Sequence, residues 1–335
     1  MSGLIVTHGD ADGICSGAIA YSVFKDFHIV FSNPQDLPSI LRKASNSFPK
    51  IIISDIAINS LEEFIDAVDG LSCEVTYLDH HPLPQKPDLS RLPVTFIHDE
   101  NVCASELMFK HLREYLSQDM ERVMLIGAVA DYADDTPYVR EVMDKWDRRT
   151  IYFEAGVLVN GLESFRKNDE GKEEILRFLS LGKPPSNHQG LVGAAIMNSF
   201  YEEEMRIRIK SSVRRIGEVS YVVDPKGPLG KAATYARSIS GTIVGIAVSI
   251  EEKKADMSIR TASNHIDLNI IARKAASKCN GSGGGHRKAA GAKIPKDKLE
   301  EFLEYFSREV EEALASTNPR NNRLSPHPTI TYNQH

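Results

Sequence analysis

Basic residues are in short supply in this chain. Lys and Arg number 40 against 46 Asp and Glu, giving a formal net charge of −6 over 335 residues. A protein that coats nucleic acid would carry the opposite balance, so that class is disfavoured, whereas an enzyme gripping a few phosphates in a cleft is not. Cysteine is scarce too. Cys15, Cys73, Cys103 and Cys279 are the whole set. No pair has zinc-finger spacing, and each sits among apolar or small residues, so buried free thiols in a reducing compartment are expected. No apolar run approaches the length needed to span a bilayer. The N-terminus runs directly into a strand pattern, without a charged leader and apolar signal core. A soluble, cytoplasmic protein without a membrane partner is therefore expected. Internal repeats are absent. The single Trp, Trp146, and Phe153 read as core packing rather than as platforms for bases.

What is present is a set of Asp and His residues placed where apolar runs stop. Glu74–Leu78 leads into Asp79-His80-His81. Leu4-Ile5-Val6-Thr7 leads into His8-Gly9-Asp10-Ala11-Asp12-Gly13. Ile51-Ile52-Ile53-Ser54 leads into Asp55, and Val123–Ala130 leads into Asp131. One Asp after a strand is ordinarily a turn residue or a helix cap. Four such segments in one chain point instead to strand ends that deliver ligands to one edge of a sheet.

Carboxylates gathered at one point repel one another and are costly to keep ionised. A divalent cation removes that cost. His8, Asp10, Asp12, Asp55, His80 and Asp131 make an oxygen-rich set with two imidazoles, which suits Mn²⁺, or else Mg²⁺, better than a thiolate-type zinc site. Six ligands exceed what one catalytic ion with open positions needs, and fit two ions sharing a carboxylate. Two ions about 3.5–4 Å apart can activate a water and stabilise the leaving oxygen of a phosphoester. The alternation of His8, Asp10 and Asp12 reads as an extended segment with the three on one face. Gly13 then permits a tight turn, and Ile14–Phe24 reads as a helix. That strand–loop–helix unit puts the ligands at the carboxyl end of the strand, where open α/β sheets bind their ligands.

These segments resemble the motifs of the DHH phosphoesterase superfamily. Residues 7–13 (THGDADG), 53–55 (ISD), 78–82 (LDHHP) and 128–131 (AVAD) are similar to its four core motifs, in order. Gly283-Gly284-Gly285-His286-Arg287-Lys288-Ala289-Ala290-Gly291 resembles the signature of the DHHA1 accessory domain, and Arg260 matches the arginine that precedes it. The resemblance runs from residue 3 to about residue 312. It implies that His8, Asp10 and Asp55 hold one metal, and that Asp12, Asp55, His80 and Asp131 hold the other, with Asp55 bridging. It implies that His81 faces the scissile phosphate and that Asp79 orients an imidazole. The His-x-Asp-x-Asp spacing looks closer to the RecJ-like nuclease branch and its archaeal relatives than to some small-substrate members. Arg260, Gly283, Gly284, Gly285, His286 and Arg287 would bind substrate, with glycine amides approaching a phosphate and a following helix start adding its dipole.

The length predicts two domains. An α/β fold is expected throughout: an N-terminal DHH domain with a parallel sheet flanked by helices, and a smaller α/β DHHA1 domain across a cleft. Residues 1–185 are assigned to the first, 186–216 to a linker and connecting helix, 217–315 to the second, and 316–335 to a disordered tail. Strands are predicted at Leu4–Thr7, Ile29–Ser32, Ile51–Ser54, Glu74–Leu78 and Val94–Ile97, with helices at Leu37–Asn46, Leu61–Leu71 and Ala104–Leu116. Residues Val142–Leu181 read as mostly helical. Leu191–Ile216 reads as one long helix. Strands at Val219–Val223, Thr242–Val248 and Asp256–Arg260 and helices at Leu268–Lys278 and Lys298–Ala315 complete the second domain. Arg206, Arg208, Lys210, Arg214 and Arg215 form a cluster that is either a solvated helix face or a substrate-facing one.

The function expected is two-metal hydrolysis of nucleic-acid phosphodiesters from an end, on single-stranded or short oligonucleotides. Alternatives are hydrolysis of 3′-phosphoadenosine phosphate or a cyclic dinucleotide, and a non-catalytic scaffold that binds nucleic acid. The scaffold is disfavoured because every expected ligand is present. Polyphosphate and pyrophosphate are disfavoured by the glycine-rich signature. A homodimer and a replication or repair partner remain open, as do RNA against DNA, polarity and substrate length.

Overall fold

The computed structural model describes residues 2–44, 47–83 and 94–316. The chain divides into two units, residues 1–202 and 203–335. The tail expected from residue 316 falls, from 317 onward, outside the described residues, as do the last two residues of the helix expected at Leu37–Asn46.

The first unit is built on five parallel strands, β1 (Leu4–Thr7), β2 (His28–Phe31), β3 (Lys50–Ser54), β4 (Glu74–Asp79) and β5 (Thr95–His98), in the order β2-β1-β3-β4-β5. Side chains alternate across a sheet, and here both faces are covered. Ile5, Ile52 and Leu78 face a core shared with α1 (Ala11–Val23), α4 (Ala104–Leu112), α5 (Asp119–Ala130), α7 (Arg148–Leu162) and α8 (Asp169–Leu179). Val6, Ile53 and Tyr77 face the other core, with α2 (Leu37–Ala44) and α3 (Leu61–Asp69). Burial on both faces explains why these strands read as continuous apolar runs. A further helix, α6 (Pro137–Met143), starts at Thr136, whose hydroxyl accepts from Val139 N, with proline at the first helical turn. Asp147 and Asn168 cap α7 and α8 in the same way.

The second unit carries six strands: β6 (Arg214–Ile216), β7 (Val219–Val223), β8 (Val244–Ile250), β9 (Lys254–Thr261), β10 (Ser282–Gly285) and β11 (Ala289–Pro295). Their order is β10-β11-β9-β8-β7-β6. Only β7 and β8 run parallel among the described pairs. Helices α11 (Leu268–Lys278) and α12 (Leu299–Ser316) cover one face. On the other lie α10 (Leu229–Ser240) and Met205 and Ile209 of α9 (Gln189–Ser212).

Four expectations need correction. The long helix stops at Ser212, and residues 214–216 form β6, because the two-residue turn Gly217-Glu218 folds them back onto β7. No helix follows the glycine run, which is itself β10, hairpinned to β11. His8, Asp10 and Asp12 do not share an extended segment: Asp10 is the N-cap of α1 and Asp12 lies in its first turn. Phe153 is not in the core but 60% exposed, whereas Trp146 does pack against the core. Three members of the basic cluster are ion-paired on the surface. Arg206, Arg208 and Arg215 pair with Glu203, Glu204 and Glu218 at 2.7, 3.6 and 3.1 Å. No helix among the described residues is long and apolar enough to cross a membrane.

Candidate metal centre

The strand register builds the site. Thr7 pairs with Ser54, and Ser54 pairs with Leu78, so three strand ends stand in one row. The residues that follow, His8, Asp55 and the Asp79-His80 pair, therefore emerge side by side. They emerge where the strand order turns back between β1 and β3, the crevice at which doubly wound sheets bind ligands. Beneath them lies a buried set of hydroxyls. Ser54 Oγ is 3.0 Å from Thr7 Oγ1 and 2.9 Å from Ser16 Oγ, and both of those hydroxyls donate to Gly13 O. Gly13 itself is required: a Cβ there would lie 2.4 Å from His8 O and 2.9 Å from Asp55 Oδ2. The helices bring the remaining carboxylates. Asp12 comes from α1, and Asp131 is the C-cap of α5.

Five residues form two groups beside Asp55. His8 Nδ1 is 2.9 Å from Asp10 Oδ2 and 3.9 Å from Asp55 Oδ2. On the other side, His80 Nε2 is 3.3 Å from Asp55 Oδ1, and His80 Nδ1 is 3.6 Å from Asp131 Oδ2. Ligand atoms of His8, Asp10 and Asp55 lie within 4.8 Å of one another, and so do those of Asp12, His80 and Asp131. Asp12 is fixed by the start of α4, where its two oxygens accept from Ala104 N at 2.7 Å and Ser105 N at 3.0 Å. Asp55 adopts φ +59°, a left-handed conformation that costs a non-glycine residue about 1–3 kcal/mol and recurs at functional sites.

Asp79 sits behind this cluster, fully buried. Its Oδ1 accepts from His81 Nδ1 at 2.9 Å, and its Oδ2 accepts from Tyr77 Oη at 2.9 Å. His98 Nε2 donates to His81 O at 2.7 Å. The His81 ring is thus held at one nitrogen by a carboxylate, the arrangement that fixes a tautomer and an orientation.

The electrostatics show strain that a cation would relieve. Burial pushes the Asp55 carboxyl well above the usual range, and Asp10, Asp12, Asp79 and Asp131 push it the same way. Burial, then Asp12 and Asp10, raise Asp131 to about 9. Asp12 is raised by burial, although His80 pulls against it. Asp10 moves the other way: burial would raise it, but the His8 imidazole beside it holds it below the ordinary value. Burial lowers His80, which favours the neutral imidazole that a metal needs. Asp55 Oδ2 is buried and has no hydrogen-bond partner. An orphaned carboxylate oxygen among mutually repelling carboxylates, flanked by two imidazoles, is a donor set that fits divalent cations.

A cleft of about 520 Å³ opens from this cluster. His8, Asp10, Asp12 and Asp131 line it together with Phe31, Asn33, Leu162, Arg166 and Lys172. Sequence reasoning missed Arg166 and Lys172. A lysine followed by Glu173 and Glu174 on a helix reads as a solvated face, and nothing local marks it otherwise.

The substrate-binding candidates of the second unit gather at one corner of its sheet. Arg260 stands opposite Ala289, and its Nη1 approaches Ala290 O at 3.5 Å. Arg287 Nη2 donates to Asn264 O at 2.8 Å. Gly283 lies so close to α11 that a Cβ would meet Ala272 O at 2.6 Å. The amides of Gly285 and His286 donate to Asn269 Oδ1 and Ala289 O. The glycines therefore serve close packing and hairpin hydrogen bonding, and no helix starts directly after them to add its dipole.

Comparison with known proteins accords with this geometry. The sequence matches the DHH family N-terminal domain over residues 3–133 and the DHHA1 domain over residues 219–312. A search among curated proteins finds no match. Among solved structures, the fold is similar to a DHH domain described as belonging to a family of ribosomal proteins, with TM-score 0.72, 16% identity, and coverage of 92% of this chain and 86% of that one. It is similar to RecJ from Thermus thermophilus in complex with Mn²⁺, with TM-score 0.68, 17% identity, and coverage of 93% and 52%. It is also similar to PggH, a pGpG-specific phosphodiesterase from Vibrio cholerae, with TM-score 0.59, 14% identity, and coverage of 93% and 99%. With both domain matches in place, the strand-end motifs 7–13, 53–55, 78–82 and 128–131 in the first and residues 283–291 in the second, the chain belongs to the DHH/DHHA1 superfamily of phosphoesterases.

Proposed function

We propose that this protein is a two-metal phosphodiesterase that removes nucleotides from the ends of single-stranded or short oligonucleotides. The observation that carries the reading is Asp55, whose two oxygens face His8 and His80 in two separate ligand groups. His8, Asp10 and Asp55 would hold one ion, and Asp12, Asp55, His80 and Asp131 the other, with Mn²⁺ the best fit and Mg²⁺ the substitute. Bound ions would supply an acidified water and screen the charge on the phosphoryl oxygens. The chain's own residues do the rest. Asp79 keeps the His81 imidazole oriented, and His81 would donate a hydrogen bond to a phosphoryl oxygen as its charge grows. Asp12, on α1 and held by the first amides of α4, would keep one ligand in place before any ion arrives. Arg260, His286 and Arg287 would take a neighbouring phosphate or the terminal nucleotide, through side chains rather than through glycine amides.

The likeness to RecJ, an exonuclease, supports nucleic acid as the substrate class. A second reading, a small dinucleotide, has support from PggH, which matches over nearly its whole length. A non-catalytic scaffold is opposed by the retention of all six candidate ligands. The deciding experiment follows Mn²⁺-dependent hydrolysis of end-labelled RNA and DNA from dinucleotides to long strands, beside 3′-phosphoadenosine phosphate, cyclic dinucleotides and polyphosphate. Stepwise release of mononucleotides is expected, abolished in Asp55→Asn. Internal cuts alone, or turnover of a small phosphate with no oligonucleotide cleaved, would refute the reading.

A further inference from the structure

Lys172 is an unusual lysine. It lies on α8 with its side chain only 8% exposed, although it lines the cleft beside the candidate ligands His8, Asp10, Asp12 and Asp131. Its ammonium sits 4.9 Å from the centre of the Phe31 ring. Burying an ammonium is costly unless it is paired. The partner here is Asp169 at 2.6 Å, which is itself 71% exposed. Among the described residues, Lys172 forms no ion pair with Asp10, Asp12, Asp55 or Asp131, so its fixed role is not to neutralise the ligand cluster.

It packs closely against Gly9 of the ligand loop. A Cβ on Gly9 would lie 2.9 Å from Lys172 Nζ, so the ammonium packs directly over the loop between His8 and Asp10. Lys172 is therefore held against the backbone of the ligand loop. An ammonium has three donors. One is directed to Asp169, and a second makes a long 3.4 Å bond to Arg166 O. The third has no acceptor described in the protein, and the cleft is the space beside it.

We propose that Lys172 is a substrate-contacting residue of the first unit, whose ammonium binds a phosphate oxygen of the nucleotide lying in the cleft beside His8 and Asp10. The proposal rests on the phosphodiesterase reading above and deepens it, by assigning a phosphate contact in the first unit separate from Arg260, His286 and Arg287. A charge-assisted hydrogen bond from a partly desolvated ammonium is stronger than a neutral one. The exposed Asp169 holds the ammonium in place without competing strongly for it.

The test measures adenosine monophosphate and adenosine binding to the Mn²⁺-loaded full chain by calorimetry, in wild type, Lys172→Met and Lys172→Arg. Removing a hydrogen bond to a charged group should weaken monophosphate binding about 10–100-fold in Lys172→Met. Adenosine binding should stay unchanged, Lys172→Arg should restore most of the loss, and Mn²⁺ affinity should hold or rise once a nearby positive charge is gone. Equal monophosphate binding in wild type and Lys172→Met would overturn the proposal. So would a loss of Mn²⁺ affinity that accounts for the change, or a wild type that does not prefer the monophosphate to adenosine. Oligonucleotide hydrolysis by the same wild-type preparation separates the two readings: inactivity there with the binding contrast intact removes the substrate reading and leaves Lys172 standing.

Discussion

Asp131 and Asp55 carry the sharpest consequence at the scale of single residues. Their carboxyls stand above the ordinary range, Asp131 at about 9. In the metal-free protein, the folded state therefore keeps protons that the unfolded chain releases near pH 4. Stability from these groups is fully present below that pH and is lost as pH rises toward 9. Denaturant unfolding of the EDTA-treated protein should show stability falling between pH 6 and pH 8.5. Asp131→Asn should flatten that slope and raise metal-free stability at pH 8.5 by about 1–3 kcal/mol, the scale of relieving a poorly compensated buried polar group. With Mn²⁺ present the order should reverse, because the wild type gains binding energy that the variant has lost. A metal-free protein whose stability is level across this range would show that the carboxylates are not in mutual repulsion.

At the scale of elements, helix ends and ligands are the same residues. Asp10 approaches His8 through one oxygen and caps α1 through the other, accepting from Gly13 N at 3.0 Å. Two substitutions separate the roles. Asp10→Asn keeps a capping oxygen but weakens the ligand, whereas Asp10→Ala removes both. The alanine variant should be less stable than the asparagine variant by about 1 kcal/mol in metal-free thermal unfolding, the worth of an N-cap. Both should bind Mn²⁺ poorly. Equal stability of the two would mean that the cap contributes nothing here. Asp12 repeats the pattern across space, since α4 supplies two of its unpaired first-turn amides to a carboxylate on α1.

For the whole molecule, the sequence was most readable where burial left one reading. Apolar runs such as Ile51-Ile52-Ile53 sit between two helical layers, so they had to be strands. The placing of the candidate ligands one step beyond Thr7 and Ser54, and at the end of β4, followed from the same logic. Their local geometry did not, because the alternation of His8, Asp10 and Asp12 is equally a loop running into a helix. The end of α9 was hidden for a similar reason. Arg214-Arg215-Ile216 has no strand signal of its own, and only its pairing with β7 makes it one. The glycine run has no side chains with which to declare a strand, and its hairpin appears only through β11. Lys172 was invisible because its burial comes from Phe31 and from the ligand loop, both far away in sequence.

The spread of the candidate metal ligands along the chain, from His8 after β1 to Asp131 at the end of α5, also bears on how the protein comes apart. No single hairpin or helix contains the site. It exists only when β1, β3 and β4 are in register and α1 and α5 are docked. During synthesis, the candidate ligand set is complete only after residue 131 has left the ribosome. An ion that binds so late in assembly has little to grip in the folding transition state. Mn²⁺ should therefore slow unfolding of the first unit while leaving its refolding rate nearly unchanged, so that the ion acts as a lock on the finished fold rather than as a seed for it.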